Sequence, residues 1–379
     1  MAATMVAGRL TREQQRAKDG LLAGLDHKQV QRLGGFAGTG KTHLLRDLYR
    51  EISLGRGWRV GVCAPTGKAA NVLRRNGLGH ALTMHSLAYR CGGVRKEMAW
   101  EEDEHGNRVE VVKREHPLFV RKEAVAFDAL IIDEASMVNR THFEDLCSFQ
   151  VPLVFVGDHG QLPPVGQQQV HLMREPDFRL ETVHRNAGPI ARFCEWARHG
   201  KLPRHWPGDS PQVQVFRHDV ELDPAWLDSQ VICGLNRTRV GINAAFRGHL
   251  GRTLPVEPGD RVVSLRNCPG KNLWNGTQGV VRDVVSCDEM VLDIDGRLVA
   301  TSYDPDTFGR EHPVGVMEAR PHPYDYAYAV TCHKVQGDQF PAVTVIDESA
   351  FMGRDNPDNV RRWRYTAASR ARQVLRWVC

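Results

Sequence analysis

The sequence predicts an α/β fold with parallel sheets, divided into two domains, and three observations carry that expectation. The stretch Gly35-Phe-Ala-Gly38-Thr39-Gly40-Lys41-Thr42 is a glycine-rich turn, followed by Leu44, Leu45, Leu48 and Ile52 at helical spacing. Short apolar runs, Ala129-Leu-Ile-Ile132 and Leu153-Val-Phe-Val156, end in polar turns, as strands buried on both faces of a parallel sheet do. A length of 379 residues exceeds one small core and suits two domains of common size.

The glycine-rich turn matches G-x-x-x-x-G-K-[ST] in full. Its glycines let successive backbone N–H groups turn inward on a polyphosphate. Lys41 supplies a point charge for the outer phosphates of ATP, and the Thr42 hydroxyl stands where Mg2+ would be held, at the start of a helix whose dipole favours the anion. The strand before it is thin: Val30 and Leu33 are apolar, but Gln31 and Arg32 intrude.

Composition is that of an ordinary globular protein. A formal net charge of +5, carried mostly by arginine, makes a mildly basic surface that permits a nucleic-acid partner. The nine cysteines are scattered and contain no C-x-x-C pair, so neither a zinc site nor a disulfide framework is indicated, and reduced thiols in the cytoplasm are expected. No apolar run approaches membrane-spanning length and the first residues lack a secretion-signal layout, so no membrane association is expected.

Taken in order, Thr11 is a candidate helix cap with Glu13 in the first turn. Gln14, just upstream of the phosphate loop, has an amide suited to an adenine edge or, equally, to a solvated helix face. An apolar strand then turns through Pro65, Thr66, Gly67 and Lys68 into a helix. That turn is either a plain connection or a contact for a nucleic-acid phosphate. Thr83 and His85 offer a second small polar cluster. Residues 91–118 read as strand, turn, strand with Gly106-Asn107 at the tip, an insertion that is either a wedge against a duplex or a decorative loop. Asp133 and Glu134 end the buried run at 129–132; Asp133 would hold the Mg2+ shell and Glu134 would deprotonate the attacking water. After the run ending at Gly157, Gln161 is suited to sensing a γ phosphate, and Pro163-Pro164 would relay that contact.

The ordered segments GFAGTGKT, APTGKAA, IIDEASMV and GDHGQLPPV resemble the motifs of superfamily 1 DNA helicases, in the RecD and Dda branch (superfamily 1B). The resemblance continues through Leu180–Arg185, Thr331–Gly337 and Tyr365–Arg372. It implies two RecA-like P-loop NTPase domains, 1–190 and 191–379, with the β-hairpin insertion at 91–118 in the first and an SH3-like β-barrel insertion at 256–322 in the second. It also implies Arg185 and Arg370 as arginine fingers, Gln336 and Gly337 at the nucleotide, and His333 on DNA. Asn236 and Arg237, where a strand opens into a helix, are either backbone contacts for single-stranded DNA or a solvated face. Expected function is ATP-dependent translocation on single-stranded DNA, 5′ to 3′ by the resemblance, with unwinding at single-strand/duplex junctions. A monomer is expected to be active, in a bacterial or phage-infected cell, with a single-strand-binding, replication or recombination protein as a candidate partner. A non-unwinding translocase, a motor subunit of a nuclease complex, and a nucleotide-dependent switch or kinase are the alternatives.

Overall fold

A computed structural model describes residues 9–102, 108–163, 172–183, 188–217, 222–312, 321–352 and 356–379. The chain forms two compact units. The first contains Met1–Pro65, Ala69–Ala88 and Lys122–Ala191; the second contains Thr66–Lys68, Tyr89–Arg121 and Arg192–Cys379.

Helix α1 (Arg12–Gly24) starts on a reciprocal cap: the Thr11 hydroxyl accepts from the Gln14 N–H, and Gln14 Oε1 accepts from the Thr11 N–H at 3.0 Å. There follow β1 (Val30–Gly35), α2 (Lys41–Arg50) with a π-helical turn at Glu51–Gly55, β2 (Val60–Ala64), α3 (Gly67–Arg75), β3 (Leu82–Thr83) and α4 (Met84–Ala88). Strands β4 (Tyr89–Glu102) and β5 (Arg108–Arg121) form a hairpin of the second unit. The first unit resumes with β6 (Ala129–Ile132), α5 (Arg140–Cys147), β7 (Leu153–Gly157) and β8 (Phe178–Leu180).

Its sheet runs β3-β2-β6-β7-β1-β8 and every pairing is parallel. Leu21, Leu33, Leu44, Leu45, Leu48 and Ile52 are wholly buried around it. The thin strand β1 lies inside this sheet because its polar residues have partners. Buried Gln31 donates from Nε2 to Leu21 O at 3.0 Å, and Arg32 is held by the Asp177 carboxylate. With all strands parallel, the turns after β1, β2, β3, β6 and β7 open along one carboxyl edge, where open α/β sheets bind ligands.

The boundary between the units falls inside α6 (Pro189–Arg198). The second unit continues with β9 (Val213–Phe216), β10 (Gln230–Cys233) and α7 (Asn236–His249). Next come β11 (Arg261–Ser264), β12 (Gln278–Val284), β13 (Glu289–Ile294), β14 (Arg297–Ser302) and β15 (Tyr324–Tyr326). The chain ends with β16 (Ala329–Thr331), β17 (Phe340–Ile346), α8 (Ser349–Met352), α9 (Pro357–Ala368) and β18 (Ala371–Val378). A parallel sheet has the order β16-β10-β17-β18-β9, and an antiparallel sheet the order β14-β13-β12-β11-β15.

Asp295 and Gly296 make the two-residue link between β13 and β14, with φ of 53° and 83°, as a type I′ hairpin requires. The antiparallel sheet outruns the expected 256–322 segment, because Tyr324 pairs with Ser264. No turn residue marks this crossing; β15 passes to β16 through Ala327-Tyr328 alone. The hairpin likewise outruns 91–118, since Tyr89 pairs with Arg121. Its expected tip, Gly106-Asn107, lies outside the described residues.

Candidate active site

The phosphate loop is shaped by glycines that no other residue replaces without strain. Gly38 and Gly40 sit at φ of 84° and 82°, in the left-handed region. A Cβ at Gly35 would stand 2.7 Å from Thr39 Oγ1. Lys41 Nζ bridges the loop, donating to Gly35 O at 2.6 Å and Phe36 O at 3.1 Å. Buried Thr39 donates its hydroxyl to Phe36 O at 2.9 Å. An entering polyphosphate would exchange these carbonyl contacts of Lys41 for charge-assisted ones.

Gln14 is built into the same loop. Its Oε1 serves the α1 cap and its Nε2 donates to Thr39 O at 2.9 Å, so the amide ties the first helix to the phosphate loop from a buried position. One lone pair and one N–H remain for an adenine edge. Gly40→Ala would place a methyl group 2.4 Å from Gln14 Nε2 at a φ of 82°. Strain of about 1–3 kcal/mol follows, so ATP affinity is expected to fall roughly tenfold or more. Calorimetric titration with Mg-ATP checks this, and an unchanged affinity would contradict the loop geometry.

Strand β6 is buried along its whole length, and the Asp133 N–H continues its ladder by donating to Cys63 O at 2.9 Å. Burial raises the pKa of the Asp133 carboxyl, while the Glu134 N–H and the Lys41 charge oppose the rise. Burial and the adjacent Asp133 charge push the Cys63 thiol up to about 12, so it stays a neutral packing group. Glu134 sits at φ 51°, turning the chain sharply into the 3-10 turn Ala135–Met137. Ser136 Oγ beside it is buried without a hydrogen-bond partner among the described residues.

The Thr42 hydroxyl and the Asp133 carboxylate are hard oxygen donors, the kind Mg2+ takes alongside substrate phosphates and water. The donor set therefore fits that ion. Gln161 is buried and held by Asp158, whose Oδ2 accepts from Gln161 Nε2 at 3.1 Å and whose Oδ1 accepts from the Gly160 N–H at 2.9 Å. Asp158 was not among the expected site residues, although an acid directly after a buried strand was a visible signal. Glu13 was also passed over as a first-turn acid. Its carboxylate accepts from the backbone N–H groups of Glu181 and Thr182 at 2.8 and 3.2 Å, anchoring the chain just past β8 to α1.

Among the expected nucleic-acid contacts of the first unit, Pro65 follows β2, and Thr83 and His85 stand where β3 passes into α4. The Thr83 hydroxyl caps this turn, accepting from the Ser86 N–H at 3.1 Å. His85 is exposed, its ring edge-to-face with that of His142 at 4.9 Å.

In the second unit, to which Thr66 also belongs, Lys68 Nζ is engaged by Asp338 Oδ2 at 2.5 Å and Gly276 O at 2.9 Å. Asn236 Oδ1 accepts from Arg239 Nε at 3.3 Å, and Arg239 is a buried partner of Asp325. Arg237 is exposed. The start of α7 is already served by the buried Glu348 carboxylate, which accepts from the Gly234 and Leu235 N–H groups at 2.8 and 2.9 Å. His333 lies in a 3-10 turn after β16, its pKa lowered by burial, and Gln336 and Gly337 follow, Gly337 at φ 83°.

Arg185 lies outside the described residues. Arg370 is buried and donates to Thr366 O, Asp338 O and Ser369 Oγ at 2.9, 3.1 and 2.8 Å. A guanidinium carries five N–H donors, so two remain beyond these bonds.

Residues 9–212 match the family described as an AAA domain, which covers more than half of the chain. The chain belongs to the AAA domain family. Residues 326–378 match a second family, the UvrD-like helicase C-terminal domain. The AAA domain match takes in the phosphate loop, Asp133, Glu134 and Gln161, all on the carboxyl side of its sheet.

The chain is 28% identical to the ATP-dependent RecD2 DNA helicase of Deinococcus radiodurans over 91% of its own length and 46% of that protein's. It therefore spans about half of that relative. It is 22% identical to the ATP-dependent DNA helicase Pif1 of Campylobacter jejuni over 80% of each chain. In fold, it resembles a Pif1 helicase from a study of DNA unwinding at forked double-stranded DNA, with a TM-score of 0.61, 20% identity, and 98% and 92% of the two chains covered. The two parallel sheets are thus those of a Pif1-type fold.

Proposed function

We propose that this AAA domain protein is a superfamily 1B DNA helicase of the RecD/Pif1 kind, hydrolysing ATP to move 5′ to 3′ along single-stranded DNA and opening duplex at junctions. The observation that carries the reading is the gathering at one sheet edge of Lys41, Asp133, Glu134 and the Asp158-held Gln161. Relatives of this chain bear the names RecD2 and Pif1 helicase. A kinase built on the same loop gives no reason for the UvrD-like match at 326–378.

In this reading residues 1–190 and 191–379 are the two motor domains, with the hairpin and the antiparallel sheet as their insertions. Thr42 and Asp133 would hold Mg2+, which neutralises phosphate charge when bound. Lys41 binds the outer phosphates, Glu134 takes the proton from the attacking water, and Gln161 reports the γ phosphate. Arg185 and Arg370 supply positive charge to the transferring phosphoryl group. Gln14 holds the base side of the nucleotide, with Gln336 and Gly337 at the phosphates. Pro65, Thr66, Lys68, Thr83, His85, Asn236, Arg237 and His333 contact the DNA backbone. The working form is a monomer, with single-strand/duplex junctions as substrate.

The test is unwinding of a short duplex bearing either a 5′ or a 3′ single-stranded tail, with Mg-ATP and a Lys41→Ala control. Opening of the 5′-tailed duplex alone is expected. Opening of the 3′-tailed duplex alone would overturn the polarity. DNA-stimulated hydrolysis without opening of either would leave a translocase, and hydrolysis indifferent to DNA would overturn the motor itself.

A further inference from the structure

Ser136 is 8% exposed, and its Oγ has no hydrogen-bond partner among the described residues. A hydroxyl withdrawn from water without a partner destabilises a fold, and native structures leave few such groups. Where one persists beside a reacting centre, its partner belongs to another state of the site. Ser136 lies two residues after Glu134, the base of the proposed reaction.

The turn that carries it is fixed on two sides. Glu134 enters it at φ 51°, and the Met137 and Val138 N–H groups donate to Glu134 O and Ala135 O at 3.0 and 3.2 Å. The turn also lies against the end of β7. A Cβ at Gly157 would stand 3.2 Å from the Ser136 nitrogen and 2.9 Å from Met173 Cγ, so the missing side chain lets the two backbones approach. The residue after Gly157 is Asp158, whose carboxylate accepts from Gln161 Nε2 at 3.1 Å and from the Gly160 N–H at 2.9 Å. Asp158 is buried, so an oxygen that loses its donor gains no water in exchange.

We infer that Ser136 is a positioning residue for ATP hydrolysis, its hydroxyl being the donor that the Asp158 carboxylate takes up when Gln161 leaves it for the γ phosphate. This rests on the reading of Gln161 as the γ-phosphate sensor. With Gln161 on Asp158, the serine hydroxyl is unsatisfied. Once the amide turns away, the hydroxyl takes its place, and a bond to a carboxylate is about twice as strong as one between neutral groups. The exchange satisfies both buried groups and favours the sensing arrangement. Through the same turn it fixes the backbone that presents Glu134. Only hydrogen bonds are exchanged, and no proton is transferred.

The effect of Ser136→Ala on the free protein therefore changes sign with the residue at 161. Hydrogen exchange of peptides spanning β6 and β7, followed by mass spectrometry on the full chain without nucleotide, reads that sign. In the wild-type background the substitution removes only an unsatisfied hydroxyl, and exchange should slow by about fivefold or more. Gln161→Leu keeps the bulk of the side chain without its amide, so Asp158 holds the serine hydroxyl throughout. There, Ser136→Ala should speed exchange by a similar factor. In turnover, Ser136→Ala should lower kcat by about ten- to a hundredfold, as loss of a hydrogen bond to a charged group does. The KM for Mg-ATP should stay within about threefold, because Lys41 and the phosphate loop are untouched.

Exchange that slows in Ser136→Ala whether residue 161 is Gln or Leu would overturn the change of partner at Asp158. Exchange unaltered by Ser136→Ala in the wild-type background would overturn it too, since the hydroxyl would then have a partner at rest. An unchanged kcat would overturn the positioning role. A wild type that does not hydrolyse ATP would instead overturn the motor reading beneath it, while the exchange experiment, which needs neither nucleotide nor DNA, still decides the hydrogen bond.

Discussion

Glu134→Gln lowers DNA-stimulated ATP hydrolysis by about 10²–10⁴-fold, the usual contribution of a positioned general base, while ATP affinity stays within a few fold. The amide has the shape of the carboxylate and the same neighbours, so the left-handed backbone at φ 51° is kept. Only the capacity to accept a proton is lost. Lys41→Ala differs in kind: it removes the cation that bridges Gly35 O and Phe36 O, so binding and turnover fall together. Phosphate release at saturating Mg-ATP and oligothymidine measures the first effect, and nucleotide titration separates the second. More than a tenth of wild-type turnover in Glu134→Gln would remove Glu134 from the role of base.

What the sequence disclosed best is what local chemistry decides. The glycines at 38 and 40 are demanded by their own φ values. Thr11 caps the helix it precedes, as its position announces. The apolar run 129–132 forms a wholly buried strand and delivers Asp133 and Glu134 to its end. These features need only neighbours along the chain.

The features that escaped need partners far away in sequence. Gln31 looked out of place in a central strand, yet Leu21 O ten residues upstream satisfies it. Lys68 stands in a turn that reads as either a plain connection or a phosphate contact, and the acid that engages it lies 270 positions later. Glu348 carries no motif, and its role became visible only with α7 in place. The end of the antiparallel sheet at Tyr326 was hidden because β15 and β16 are joined with almost no turn.

The largest effect on stability is expected at Asp260, which is fully buried directly before β11. Its carboxylate accepts from Arg247 Nε at 3.1 Å, from Arg252 at 2.5 Å, from the Tyr328 hydroxyl at 2.9 Å and from the Glu257 N–H at 2.8 Å. Burial pushes the Tyr326 and Tyr328 hydroxyls up to about 12, so near neutral pH they remain uncharged donors within this network. Asp260 is thus the anion shared by two arginines that are themselves largely buried. Asp260→Ala leaves both guanidiniums without it, and breaking a buried ion pair from one side costs about 3–5 kcal/mol. Arg252→Met should cost less, because the carboxylate keeps Arg247 and its two neutral donors. Urea unfolding followed by tryptophan fluorescence should show the second unit melting well before wild type in Asp260→Ala, with Arg252→Met between them. Equal midpoints for Asp260→Ala and wild type would mean that the two arginines find water or other carboxylates, such as Glu257, 3.8 Å from Arg247. The network would then be an ornament of the fold rather than its anchor.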